Sequence, residues 1–268
     1  MEQLVLAFSC DPVNQPLCIP ESILELFELP VLFGSFNRSM LYTFLAALIV
    51  MVLLFVTYRR RASVPTKFGA AMESVVDFVR NDIAIGVIGP GGEKYAPYLL
   101  ALFLFILVGN FLGITPFVMF PVGSRIAIPV VLSLITYVVF VFVGLKKKGF
   151  GYLGHLLWPP DVPVALRPLI GIIELVSTLL VRPFSLAVRL FANLVAGHTM
   201  LALLLGSGVA FMIAIPEIGI MKGGIVGVLW FLLGMAIYML EMLVLFLQAY
   251  IFTLLSAVYI EDSLRAAH

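Results

Sequence analysis

Charged residues are scarce in this sequence, where Asp, Glu, Lys and Arg together make up only 12% of 268 residues. Soluble globular domains carry about 25% charged residues and roughly 45–50% apolar ones. Hydrophobic residues reach 62% here, and the mean hydropathy is +1.15. This composition excludes an ordinary soluble domain. The formal net charge of +1 provides no basic face for a nucleic-acid partner.

Cysteine and histidine are also rare. Cys10 and Cys18 are the only cysteines, and the three histidines lie far from them. Two cysteines cannot make a closed structural zinc site. They form a disulfide if their segment faces an oxidising compartment, and otherwise they stay as free thiols. The sequence also lacks the GxxxxGK[ST] loop that cradles nucleotide phosphates. We therefore expect no catalytic site, no metal and no cofactor on this chain.

Long apolar runs dominate what is present. A helix needs about 20 mostly apolar residues to cross a bilayer. The runs predict an all-α polytopic membrane protein with spans near 40–58, 96–119, 126–145, 164–205 and 223–260. Residues 1–38 are then an acidic extracytoplasmic tail, and residues 39–268 are the membrane domain.

The last two runs are too long for one upright helix each. We expect two long, tilted helices that form a hairpin around a loop at 206–224; six or seven shorter spans are the alternative. Basic residues at 59–61 and 146–148, with Arg167 and Arg265, all fall on one side if there are five spans. Such residues favour the cytoplasmic side, or the matrix side in an organelle. Five spans are therefore the more consistent count, with the C-terminus cytoplasmic.

An amphipathic segment near 66–85 separates the first two spans. Phe68, Met72 and Val79 recur at helical spacing, and Glu73 and Asp77 fall mostly on the other side. This pattern predicts a helix that lies in the membrane interface and packs against the bundle.

Polar and small residues follow one face of the fourth span. Their steps of three and four residues match the helical repeat. The face runs roughly 33 Å, about one hydrocarbon thickness. Its members are Glu174, Thr178, Arg182, Ser185, Arg189, Asn193 and Ala196. A polar stripe of this length indicates a lined pathway, although Thr178 and Ser185 alone are more typical of contacts between helices.

Arg189 is the residue on this face that packing does not explain. A charge at the bilayer centre costs at least ~2.5–3.5 kcal/mol, so ionisable residues there are functional candidates. Arginine effectively never loses its proton. Its fixed charge repels a hydronium ion and favours the ionised form of a nearby carboxyl. Arg189 therefore suits a proton path, whereas Arg182 lies nearer the end of the span, where it can snorkel.

A second group of candidates joins the last two spans. His198 lies almost opposite to Arg189 around the fourth helix. On the fifth, Glu241 and Gln248 are seven residues apart and share a face, with Tyr238 on a neighbouring one. In an antiparallel hairpin, His198 and Glu241 both approach the extracytoplasmic end. They are then either a proton relay or a structural hydrogen-bonded pair.

Three stretches carry a family resemblance. These are RPFSLAVRLFANLVAGH around Arg189, LQAYIFTLLSAVYI near the C-terminus, and APYLLALFLFILVGNFLGITPF at 96–117. From about residue 65 onward the chain resembles subunit a of F-type ATP synthases. The resemblance implies that the two long helices curve around a rotating ring of c-subunits. Protons then enter by one half-channel and leave by a second, offset one. It also implies peripheral-stalk b subunits and the F1 sector as partners.

The resemblance also implies roles for single residues. Arg189 separates the half-channels, and Glu174 belongs to the cytoplasmic one. Residues implied for the extracytoplasmic half-channel are Asn193, His198, Glu241 and Gln248. His198 and Glu241 are exchanged relative to many bacterial members, which preserves one acid and one imidazole. Glu174 lies one residue further from Arg189 than the family pattern has it, which weakens its assignment.

Two other functions remain open from the residues themselves. A self-contained ion-coupled transporter would use Arg189 to bind an anionic substrate, but it should show repeated halves, and none is visible. A structural scaffold would tolerate the loss of the charge at this position. The family reading places the chain in an energy-coupling membrane, a bacterial plasma membrane in preference to the mitochondrial inner membrane.

Overall fold

The structure is a computed structural model. It describes residues 31–33, 36–59, 67–115, 126–149, 151, 163 and 166–265. Cys10, Cys18 and most of the acidic tail lie outside this part of the chain, as do Arg60, Arg61 and Pro116.

Helices make up nearly all of the described chain. The main ones are α1 (Arg38–Arg59), α2 (Lys67–Asp77), α3 (Ala96–Ile114), α4 (Ala127–Lys148), α5 (Arg167–Val176), α6 (Arg182–Ile213) and α7 (Val226–Arg265). Two short strands, β1 (Val31–Phe33) and β2 (Phe36–Asn37), pair antiparallel just before α1.

Five helical stretches in the described residues are long and apolar enough to cross a membrane. They are Met40–Thr57, Gly92–Ile114, Ala127–Lys147, Arg167–Ile213 and Gly223–Arg265. The last two contain 47 and 43 residues, far more than one upright crossing requires. The prediction of an all-α membrane protein with five spans is confirmed.

The chain forms two compact units. The first combines Ala192–Leu247 with the described parts of Met1–Leu45 and Gly109–Arg125. The second combines Ala46–Val108, the described parts of Ile126–Phe191, and the end of α7 from Gln248.

In the first unit, glycines bring α6 and α7 together. A Cβ added at Gly208 would lie 2.7 Å from the backbone nitrogen of Phe231, and one at Gly234 would lie 2.6 Å from Leu205 Cδ2. A Cβ at Gly227 would likewise meet Met212. Positions later in α6 therefore face positions earlier in α7, which makes the pair antiparallel. The predicted loop around 206–224 begins too early, because Gly208 is a contact between helices and α6 continues to Ile213.

In the second unit, hydrogen bonds join four helices. Tyr98 Oη of α3 lies 2.9 Å from Thr136 Oγ1 of α4, which lies 3.5 Å from Ser256 Oγ of α7. Ser133 of α4 donates to the Pro183 carbonyl at the start of α6. Such bonds give these polar groups the hydrogen-bond partners that lipid does not provide.

The amphipathic segment also packs in the second unit. Helix α2 leads into a π-helical stretch, Phe78–Ile85, with Val79 and Ile83 fully buried. The Phe78 ring lies 6.2 Å from that of Phe103 and 5.7 Å from that of Tyr250. On the outer side, Arg80 Nη2 pairs with Glu93 Oε2 at 3.0 Å. Aromatic contacts thus hold one face of this segment against α3 and α7.

A second π-helical stretch, Ser177–Val181, joins α5 to α6. Its backbone bonds span five residues, as in the Arg182 amide donating to the Ser177 carbonyl. Pro183 follows at once and has no amide hydrogen, so the preceding turn cannot form a regular helical bond there. The prediction of one uninterrupted α-helix over 174–196 is therefore wrong, and this turn rotates Glu174 and Thr178 relative to Arg189.

Candidate functional site

Arg189 lies on α6 in the second unit, between the buried side chains of Leu186 and Leu190. Its own side chain is half-buried. Within the described residues, no carboxylate lies close enough to form an ion pair with it. Arginine is a fixed positive charge, and none of the carboxylates in the described ranges compensates it by an ion pair.

Small and polar residues are exposed on the next turns of α6. Ala192, Asn193 and Ala196 are exposed, in contrast to buried Leu194. Exposed small residues on a membrane helix let another helix approach its backbone closely. This surface belongs to the first unit and suits a helical partner.

Glu241 is the most deeply buried of the candidate acids, with 8% of its surface exposed. Its carboxylate occupies the space that a side chain at Gly197 would fill. His198 is the next residue of α6 and is half-buried, as is Tyr238 one turn before Glu241. The structure thus brings Glu241 to the α6 segment that carries His198, inside the first unit.

Gln248 and Glu174 belong to the second unit. Gln248 is buried near the middle of α7, two turns after Glu241 along the chain. Glu174 is half-buried on α5, just before the π-helical turn. One turn later Thr178 is only 2% exposed, and its hydroxyl has no hydrogen-bond partner among the described residues. A buried, unsatisfied hydroxyl beside an acid can hold a water molecule.

Arg182 is the candidate whose surroundings differ most from expectation. It does not simply extend toward the interface, because its Nη2 pairs with Asp262 Oδ2 at 3.1 Å. Its Cζ also lies 5.1 Å from the ring centre of Tyr259. Sequence reasoning missed Asp262 and Tyr259, which are separated from Arg182 by most of the hairpin. The only available signal was the presence of an acid near the end of an apolar helix.

Comparison with known proteins agrees with this architecture. The family described as ATP synthase A chain matches residues 40–261. ATP synthase subunit a of Frankia alni is 43% identical over 226 residues, 84% of this chain and 76% of that protein. Subunit a of Gluconacetobacter diazotrophicus is 40% identical over 243 residues, 88% and 94% of the two chains. That of Gluconobacter oxydans is 38% identical over 228 residues, 85% and 88%. With five apolar spans and these matches over most of its length, the chain belongs to the ATP synthase A chain family.

Proposed function

We propose that this chain is the proton-conducting subunit of the membrane sector of an ATP synthase. It provides two offset half-channels, which load and unload carboxylates on a ring of c-subunits and so couple proton flow to ring rotation. The observation that supports this most directly is the charge of Arg189, which is uncompensated within the described chain.

We infer that a carboxylate on a c-subunit of the ring supplies the missing anion. A buried cation without a counter-charge is costly, and a carboxylate that arrives on another helix lowers that cost. Proximity to a fixed guanidinium favours the ionised carboxylate, so the arriving acid releases its proton. The same charge repels a hydronium ion. Arg189 therefore forces each proton to travel on the ring instead of passing directly between the half-channels.

The loading half-channel contains Glu241, His198, Asn193 and Gln248. A buried carboxylate on α7 and an imidazole on the facing segment of α6 can both accept and donate protons. Glu174 belongs to the second half-channel, where the buried hydroxyl of Thr178 offers a place for water.

The energetics favour a rotary partner over a simple channel. One charge crossing 100 mV provides about 2.3 kcal/mol. Several protons per ATP are therefore required, and a ring sums them. The catalytic chemistry then lies on the F1 sector, and the b subunits connect this chain to that sector. In this arrangement the basic residues face the cytoplasm of a bacterium, the N-terminus faces outward, and the long helices tilt along the ring.

The direct test compares Arg189→Ala with Arg80→Ala in membrane vesicles that hold the assembled complex. Arg80 is a suitable control because its ion pair with Glu93 is exposed and lies before α3. We expect Arg189→Ala to lose ATP-driven acidification with normal subunit stoichiometry, and Arg80→Ala to acidify the vesicles normally. Normal acidification by Arg189→Ala would refute the proposed function.

A further inference from the structure

We propose that Arg182, Tyr259 and Asp262 form a clamp that fixes the start of α6 against the end of α7 and thereby positions Arg189. This inference rests on the proposed function, since it concerns how firmly the central charge is held. The clamp lies entirely in the second unit. Along the chain, it is at the end of both helices that is furthest from their connection.

Two contacts orient the Arg182 guanidinium. Its Nη2 lies 3.1 Å from Asp262 Oδ2, and its Cζ lies 5.1 Å from the centre of the Tyr259 ring. Tyr259 and Asp262 are three residues apart, so they are neighbours on the surface of α7. The carboxylate contacts an N–H group at the edge of the planar guanidinium, and the aromatic ring lies against its face.

Helix α4 supports the clamp from a third side. The Tyr259 ring lies 5.8 Å from the Phe140 ring at an angle of 60°. Ser133 of α4 donates to the carbonyl of Pro183, the residue after Arg182. The contacts thus fix both the backbone and the side chain at the first turn of α6.

This turn is where α6 most needs support. The π-helical stretch Ser177–Val181 and the missing amide of Pro183 together interrupt the regular backbone hydrogen bonds. Such interruptions allow helices to bend. Arg189 follows Arg182 by two turns, about 10 Å along the helix. A bend at the interruption would therefore move the Arg189 guanidinium away from a passing carboxylate.

A loosened clamp has a specific functional consequence. The interaction between two charges weakens with distance, so a displaced guanidinium repels hydronium ions less and drives proton release from the ring carboxyl group less completely. Protons then pass without moving the ring. An ion pair that only stabilised the fold would lower the amount of assembled complex and leave the coupling of each complex unchanged.

Adjacent acids on α7 provide a matched pair of variants. Asp262 bonds across to α6, whereas Glu261 pairs with Arg265 on its own helix. We expect Asp262→Asn to lower ATP-driven acidification per ATP hydrolysed by roughly two- to fivefold, the effect of a partly exposed ion pair. Glu261→Gln should keep the wild-type ratio. Both ratios are measured in vesicles of the whole complex and normalised to subunit stoichiometry.

Two further variant sets keep the test decisive if Asp262→Asn assembles poorly. Tyr259→Phe retains the aromatic face and should couple better than Tyr259→Leu, which removes it. The exchange of Arg182→Asp with Asp262→Arg should recover part of the coupling that either single change loses. Equal ratios for Asp262→Asn and Glu261→Gln would overturn the clamp. So would equal ratios for the two Tyr259 variants.

Arg189→Ala in the same vesicles separates this inference from the function on which it rests. If Arg189→Ala pumps normally, the proposed function fails. If Arg189→Ala does not pump and Asp262→Asn matches Glu261→Gln, the clamp alone fails.

Discussion

Three ionisable side chains in the long helices differ in what surrounds their charged groups. Arg182 has an anion and an aromatic ring within contact distance. Glu241 is buried against a glycine on the facing helix. Arg189 has no carboxylate beside it in the described chain. Charges inside a membrane protein are normally compensated, and this exception is why we propose that Arg189 meets a carboxylate on another subunit.

The contact between Gly197 and Glu241 gives a prediction at the residue scale. A side chain at position 197 would overlap the carboxylate, so Gly197→Ala must displace Glu241 or separate α6 from α7. Overpacking of this kind costs roughly 1–3 kcal/mol. We expect slower ATP-driven acidification and a lower thermal stability of the purified complex.

Gly224→Ala is the matched control for this change. A Cβ there would lie 3.5 Å from Ile220 Cγ2, which is an ordinary contact. Equal acidification rates for the two variants would show that the position of the Glu241 carboxylate does not limit proton transfer.

At the scale of the helices, apolar runs and basic clusters predict the five spans, because span length is set by bilayer thickness. The breaks inside the long helices are less predictable. Gly206 and Gly208 are typical loop residues, yet α6 continues through both of them. The Phe231 backbone packs where a side chain at position 208 would lie. Likewise, Pro183 signals an interruption but not its π-helical form. In both cases the outcome depends on a neighbouring segment that local sequence does not specify.

The same glycines predict a graded effect on the hairpin. A Cβ at Gly208 would meet rigid backbone of Phe231 at 2.7 Å, whereas one at Gly234 would first meet the flexible end of Leu205 at 2.6 Å. Gly208→Ala should therefore destabilise α6–α7 packing by roughly 1–3 kcal/mol, and Gly234→Ala by clearly less. The amount of this chain recovered in assembled complexes measures the difference. A larger loss for Gly234→Ala would contradict the packing described for this pair.

At the scale of the whole molecule, the sequence predicts only part of the candidate site. Arg189 is identifiable because a charge inside an apolar span is rare and costly. Asp262 and Tyr259 are not, since their significance depends on Arg182, about eighty residues earlier, and on the hairpin that brings them together. The roles proposed for Asn193, His198 and Gln248 rest on the family resemblance, because composition and spacing alone leave them open.

In the proposed function, the charge of Arg189, and not its bulk, makes this chain a proton conductor. ATP-driven acidification by complexes with Arg189→Gln tests it most directly, because glutamine keeps a long polar side chain and removes the charge. We expect acidification to be lost while ATP hydrolysis by F1 and subunit stoichiometry persist. Acidification near the wild-type rate would contradict it and would leave a scaffold role for this face of α6.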